Sequence, residues 1–134
     1  MRVILDSNVV FSAVVGPGSV PFQAMVKATN SADGLLFSPA LLEEYLRVLR
    51  KPAAVERHRL GDGDIRTLIG GLQSLGVGAA PLAGPPCPDP RDQHLWNLLS
   101  FDPQSILVTG ERVLLASEDF PGRVLSPRQF VEQF

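Results

Sequence analysis

A single cysteine, Cys87, stands among 134 residues, which excludes an internal disulfide and suits a reducing compartment. The expected location is therefore the cytoplasm. Cys87 lies in a proline-rich stretch with no other Cys or His beside it, and no role is assigned to it. The only two histidines, His58 and His94, do not make a Cys/His ligand cluster, which disfavours zinc. Both read as surface or helix-face residues. No apolar run approaches the ~20 residues of a membrane span. A signal-peptide pattern is lacking too, because Met1-Arg2 leads straight into the apolar Val3-Ile4-Leu5. Excess positive charge is also missing: the formal net charge is −2, which argues against a strong non-specific nucleic-acid binder. The bases are unevenly spread, however, with Arg47, Arg50, Lys51, Arg57, His58 and Arg59 close together. That stretch reads as a solvated helix face, with a phosphate-contacting patch as the alternative.

What is present is ordinary for a globular protein: 45% hydrophobic and 19% charged residues. The length predicts one domain spanning residues 1–134. A domain near this size hides roughly 70% of the surface its unfolded chain exposes. A local plan recurs four times along the chain, as an apolar run, a capping residue and a helical pattern. Val3-Ile4-Leu5 runs into Asp6-Ser7-Asn8, and Leu35-Leu36-Phe37 into Ser38-Pro39. Ile106-Leu107-Val108 runs into Thr109-Gly110-Glu111, and Arg123-Val124-Leu125 into Ser126-Pro127 with Gln129 as capping-box partner. Further helices are expected over Val20 to Ala28, over Ile65 to Leu75 (cap Asp62 or Asp64, stop Gly76), and from Asp89-Pro90 onward, with Leu95, Trp96, Leu98 and Leu99 as the apolar side. Gly78 to Pro88 reads as a loop with room for one short edge strand. Alternating strands and helices predict an α/β fold, a Rossmann-like three-layer sandwich around a mostly parallel sheet.

In such sheets ligands bind beyond the carboxyl ends of the strands. Asp6 follows the first strand directly, and Glu111 follows the Ile106–Val108 strand by two residues, so both project into that end. Taken singly, each also fits a helix-start acid favoured by the dipole. Asp92 shares a helix face with Leu95, Trp96 and Leu99, which aims it inward; a capping partner is the other reading. Asp89 reads as the cap itself. Of the two adjacent glutamates, Glu43 has Arg47 four residues on as an exposed partner, whereas Glu44 borders the apolar face between Leu41 and Val48. Glu44 is the acid expected against the fold. Four converging carboxylates repel one another unless a cation is present or some stay protonated. Oxygen ligands of this kind suit Mg2+ or Mn2+, and the chemistry they suggest is phosphodiester hydrolysis by metal-activated water.

These segments together resemble the PIN-domain ribonucleases, especially the toxin components of prokaryotic toxin–antitoxin pairs. The resemblance opens with Val3-Ile4-Leu5-Asp6-Ser7-Asn8-Val9-Val10 and continues through Leu36-Phe37-Ser38-Pro39-Ala40-Leu41-Leu42-Glu43-Glu44-Tyr45. It resumes at Cys87-Pro88-Asp89-Pro90-Arg91-Asp92-Gln93-His94-Leu95 and ends at Val108-Thr109-Gly110-Glu111-Arg112-Val113-Leu114-Leu115. It implies a metal-dependent endoribonuclease in which Asp6, Glu44, Asp92 and Glu111 are the catalytic and metal-holding acids, served by Mg2+ or Mn2+. It implies further that Asn8 and Thr109 orient ligands or substrate, that RNA is the substrate, that the chain forms a homodimer, and that a small antitoxin covers the groove. Turn and capping hydrogen bonds are the other reading of Asn8 and Thr109.

The last segment departs from the family pattern. Glutamate stands at 111 where aspartate is usual, moving the carboxylate by roughly 1.5 Å, and Val113 stands where a second acid is frequent. A module that binds RNA or a protein without cutting is therefore the alternative function. Asp6-Ser7-Asn8 also resembles the opening of aspartyl-phosphate phosphatases, but those need a second aspartate at Asn8 and a nearby lysine. The only lysines are Lys27 and Lys51, in unpromising places.

Overall fold

The computed structural model describes residues 1–134. Five short strands form one parallel sheet in the order β3-β2-β1-β4-β5, with β1 Val3–Leu5, β2 Leu35–Phe37, β3 Gly76–Gly78, β4 Ile106–Val108 and β5 Val124–Leu125. Helices flank it: α1 Ser7–Val15, α2 Val20–Thr29, α3 Pro39–Arg50, α4 Pro52–His58, α5 Asp62–Ser74, α6 Gln93–Phe101, α7 Arg112–Leu115 and α8 Pro127–Gln133. The α/β sandwich expected from the alternating pattern is what forms. β1, β2 and β4 are buried at every residue, which is why they read as unbroken apolar runs. A cluster of 27 buried residues spans sheet and helices, and Leu95, Trp96, Leu98 and Leu99 of α6 are all fully enclosed in it. No single helix is long and apolar enough to cross a membrane.

The caps act as the sequence predicts at α3 and α8. Ser38 Oγ accepts from Leu41 N, and Ser126 and Gln129 exchange hydrogen bonds as a capping box. Four expectations need correction. The edge strand lies at Gly76–Gly78, ahead of the loop expected to hold it, and Gly76, expected as the stop of α5, is the strand's first residue, the helix ending at Ser74 with Leu75 as its C-cap. A Cβ on Gly76 would sit 2.5 Å from the Leu35 carbonyl oxygen, so glycine is what lets β3 lie against β2. The cap of α5 is Gly61; Asp64 instead accepts from the Gly61 amide, while Asp62 pairs with Arg50 and Arg66. Pro90–Asp92 is a 3-10 turn ahead of α6 rather than its first turn. His58 is buried, with Nε2 at 2.8 Å from the Leu49 carbonyl and Nδ1 accepting from Leu60 N, not a surface or helix-face histidine.

In this strand order the chain turns back at β1: β2 and β3 extend one way, β4 and β5 the other. The crevice beyond the carboxyl ends of β1 and β4 is thus the topological switch point, where open α/β sheets bind ligands.

Candidate metal centre

A cleft of about 370 Å³ opens at the switch point, and of its eleven lining residues only Val48 is hydrophobic. It gathers Asp6 from the end of β1, Glu44 from α3, Asp89 and Asp92 from the 3-10 turn, and Glu111 from the start of α7. Five carboxylates thus face three cations, Arg47, Lys51 and Arg91. The convergence expected for Asp6, Glu44, Asp92 and Glu111 is realised.

Asp6 both caps α1 and faces the cleft. Its Oδ1 accepts from Ser7 N at 2.7 Å, and its Oδ2 accepts from the Thr109 hydroxyl at 2.7 Å. Thr109, wholly buried, in turn accepts from Glu111 N at 3.0 Å, so one hydroxyl links the acids of β1 and β4. Asn8 reaches the same turn more loosely, with Oδ1 accepting from Gly110 N at 3.4 Å. The Tyr45 hydroxyl donates to the Leu5 carbonyl at 2.5 Å, tying α3 to β1 one residue before Asp6. Burial holds that phenol well above its usual pKa, with Asp6 and Glu44 adding to the effect.

The acids of the cluster disfavour one another's charge. Burial pushes Asp6 up, only partly offset by the Thr109 hydrogen bond. Asp92 is pushed up to about 7 by burial first, then by the charges of Asp6, Glu111, Asp89 and Glu44. Burial also pulls Glu44 upward, but His94, Ser7 and Arg47 outweigh it and leave the carboxyl below its usual range. Asp89 is lowered by the Arg91 side chain that grips it at 3.0 Å and by the Arg91 amide it caps.

Two sets of three side chains each offer ligand atoms within 4.8 Å of one another: Asp89, Asp92 and Glu111, and Glu44, Asp92 and His94. Glu44 is only 9% exposed, yet its Oε2 has no hydrogen-bond partner. Repelling buried carboxylates with a spare oxygen fit a divalent cation, since hard cations take such oxygens and relieve such repulsion.

The family model of the PIN domain matches residues 2–112, a span that contains all four expected acids. The chain belongs to the PIN-domain family. Neither the curated proteins nor the solved structures gave a match to it. PIN domains are generally metal-dependent nucleases, and the acid cleft of this PIN domain suits that coarse description.

Two site expectations change. Arg47 pairs with Glu44, at 3.3 Å three residues away, and not with the exposed Glu43. His94, read as a surface or helix-face residue, stands half-buried with Nε2 at 3.5 Å from Glu44 Oε2. The basic stretch divides: Arg47 and Lys51 line the cleft, Arg50 binds Asp62, and Arg57 lies 5.2 Å over the Phe11 ring. Sequence reasoning had no signal for His94 beyond its place two residues after Asp92.

Proposed function

We propose that this PIN domain is a metal-dependent endoribonuclease whose acids Asp6, Glu44, Asp92 and Glu111 hold Mg2+ or Mn2+. One observation carries the reading: acids from four separate segments meet in one polar cleft at the sheet's switch point, where Asp92 is pushed up to about 7. The bound ion supplies Lewis acidity toward the phosphate and a nucleophile from water at neutral pH. The chain's own residues do the rest. Thr109 and the Ser7 amide lock both oxygens of Asp6, so this acid faces its ligand in one orientation. The Tyr45–Leu5 hydrogen bond keeps Glu44, on the neighbouring position of α3, in register with Asp6. Arg47, Lys51 and Arg91 form a cationic rim able to bind the phosphates on either side of the scissile one. Three cations thus stand beside the acids despite the net charge of −2, while Arg50 and Arg57 of the same basic stretch engage elsewhere.

RNA as substrate, the toxin role with a small antitoxin, and a homodimer rest on the resemblance to toxin-type PIN ribonucleases. The test is cleavage of a fluorogenic RNA by the native chain with Mn2+, against Asp6→Asn. Manganese-dependent cleavage lost in the variant is expected. Metal binding without cleavage in the native chain would favour the non-cutting module instead, in line with Glu111 and Val113 replacing the usual aspartates.

A further inference from the structure

His94 is the only nitrogen base of its kind beside the acid cleft, and its surroundings are unusual. Its Nε2 stands 3.5 Å from Glu44 Oε2, yet the pair lacks hydrogen-bond geometry. Glu44 Oε2 and both ring nitrogens of His94 are buried without any hydrogen-bond partner. Orphaned buried polar atoms are rare in folded proteins, and Glu44 Oε2 and the His94 nitrogen that faces it call for a common explanation. His94 and Arg47 both hold the Glu44 carboxyl down, but a counter-ion role alone leaves its second buried oxygen without a hydrogen bond, since Arg47 reaches only Oε1 at 3.3 Å. The spare oxygen is the one that faces His94. Asp92 completes the group, since Glu44, Asp92 and His94 each bring one ligand atom within 4.8 Å of the other two.

We infer that Glu44 Oε2, an Asp92 carboxylate oxygen and a His94 ring nitrogen form a mixed nitrogen–oxygen site that takes a first-row transition-metal dication in preference to Mg2+. This rests on the reading of the cleft as a metal centre, and it changes what that centre selects. Mg2+ takes oxygen ligands and keeps several waters, whereas imidazole favours the later first-row dications. Asp89, Asp92 and Glu111 form the neighbouring all-oxygen set, so Asp92 is shared between two unlike subsites. His94 must bind with a ring nitrogen free of a proton, and neither nitrogen is committed to a protein acceptor or donor.

The chain offers a clean spectroscopic test. His58, the other histidine, has both ring nitrogens engaged, with the Leu49 carbonyl and the Leu60 amide. An imidazole nitrogen coupled to a bound ion therefore belongs to His94. Pulsed electron paramagnetic resonance on the native chain loaded with Co2+ should show such a nitrogen coupling. Calorimetric titration with Mn2+, Co2+ and Mg2+ should show His94→Phe losing at least the ~tenfold affinity that even an outer-shell partner is worth for Co2+, and less for Mn2+. Mg2+ affinity should change by no more than about twofold, because it does not use the nitrogen. Binding of Co2+ without nitrogen coupling, or equal Co2+ titrations of native and His94→Phe, overturns the inference and leaves His94 as a counter-ion to Glu44. Failure of the native chain to bind any of the three ions removes the metal-centre reading itself. If His94→Phe does not fold, the spectrum of the native chain decides alone.

Discussion

The two ends of the sheet treat buried polar groups in opposite ways. At the amino ends of β4 and β5, Arg123 donates through Nε to the Ser105 carbonyl at 2.9 Å. Its terminal nitrogen reaches the Leu99 and Asp102 carbonyls at 2.6 and 2.7 Å. The cation there is matched by backbone acceptors, and its ring-side face rests on Phe120 at 5.2 Å. At the carboxyl ends of β1 and β4, acids crowd together, Asp6 and Asp92 are pushed up by burial, and Glu44 Oε2 and His94 are left unpaired. At the first end Arg123 finds all its acceptors and serves stability, and Arg2 Nε, just ahead of β1, is the one buried side-chain polar atom there without a partner. The other keeps unspent ligand capacity, which is the physical mark of a site completed by something from outside.

If this contrast is right, variants at the two ends should fail in different assays. The largest effect is expected at the acid end: Glu44→Gln and Asp92→Asn should each lower RNA cleavage roughly a hundredfold or more, about 2.7 kcal/mol of transition-state stabilisation. Glu43→Gln, on the exposed side of α3, should stay near the native rate. Steady-state kinetics on the three proteins checks this, and equal losses at 43 and 44 would break the assignment of the buried glutamate. At the other end, Arg123→Ala strands buried carbonyls and should cost about 3 kcal/mol of folding stability. Urea unfolding with and without Mn2+ should show the same metal-induced gain in this variant as in the native chain. That gain is about 2.7 kcal/mol at a hundredfold excess over Kd, and it should be largely absent from Asp6→Asn.

The acid end also carries its own pH signature. Asp92 is raised from the ordinary aspartate range to about 7 in the folded chain, so folding takes up a proton between those values. Its contribution to stability is fully present below the unfolded pKa and is lost as pH rises through about 7. The melting temperature of the metal-free chain should fall from pH 5 to pH 8, and Asp92→Asn should flatten the fall. Saturating Mn2+ should reverse the slope, because ligation requires the deprotonated acid. A native profile identical to that of Asp92→Asn would show that Asp92 is no more strained than a surface carboxylate.

The strong elements of the fold were legible because local chemistry and tertiary packing agree there. Ser38-Pro39 and Ser126-Pro127 start helices by capping, and the buried strands β1, β2 and β4 read as apolar runs. β3 is hard to read because Gly76-Val77-Gly78 looks like punctuation, while Gly76 answers to the Leu35 backbone and Gly78 to the Phe37 ring, both from a distant segment. The convergence of the four acids was legible because Asp6, Asp92 and Glu111 sit at element ends on the same side of the sheet, and Glu44 borders the apolar face of α3. His94 and the rim were not. Whether Arg47 turns to Glu43 or Glu44 is a rotamer choice, and His94 meets Glu44 only because α6 packs against α3.

The smallest expected effect concerns the residue that departs from the family pattern. Glu111 begins α7 but makes no capping hydrogen bond; its side chain lines the cleft instead, with Asp89 and Asp92 in ligand range. The helix-start reading of this acid therefore lacks its main interaction, and the cleft reading keeps its own. Four other carboxylates of the cleft already supply most of the local charge, so Glu111 should tune metal occupancy rather than create it. Shortening it restores the family's usual acid but withdraws the oxygen by roughly 1.5 Å. Glu111→Asp should raise Mn2+ affinity or cleavage several-fold, about 1 kcal/mol. Glu111→Gln should weaken Mn2+ binding while slightly stabilising the metal-free chain, since it removes one of the charges pushing Asp92 up. Calorimetric Mn2+ titration and metal-free melting of the three proteins measure both signs. If Glu111→Gln binds and melts like the native chain, Glu111 stands outside the centre and three acids alone hold the ion.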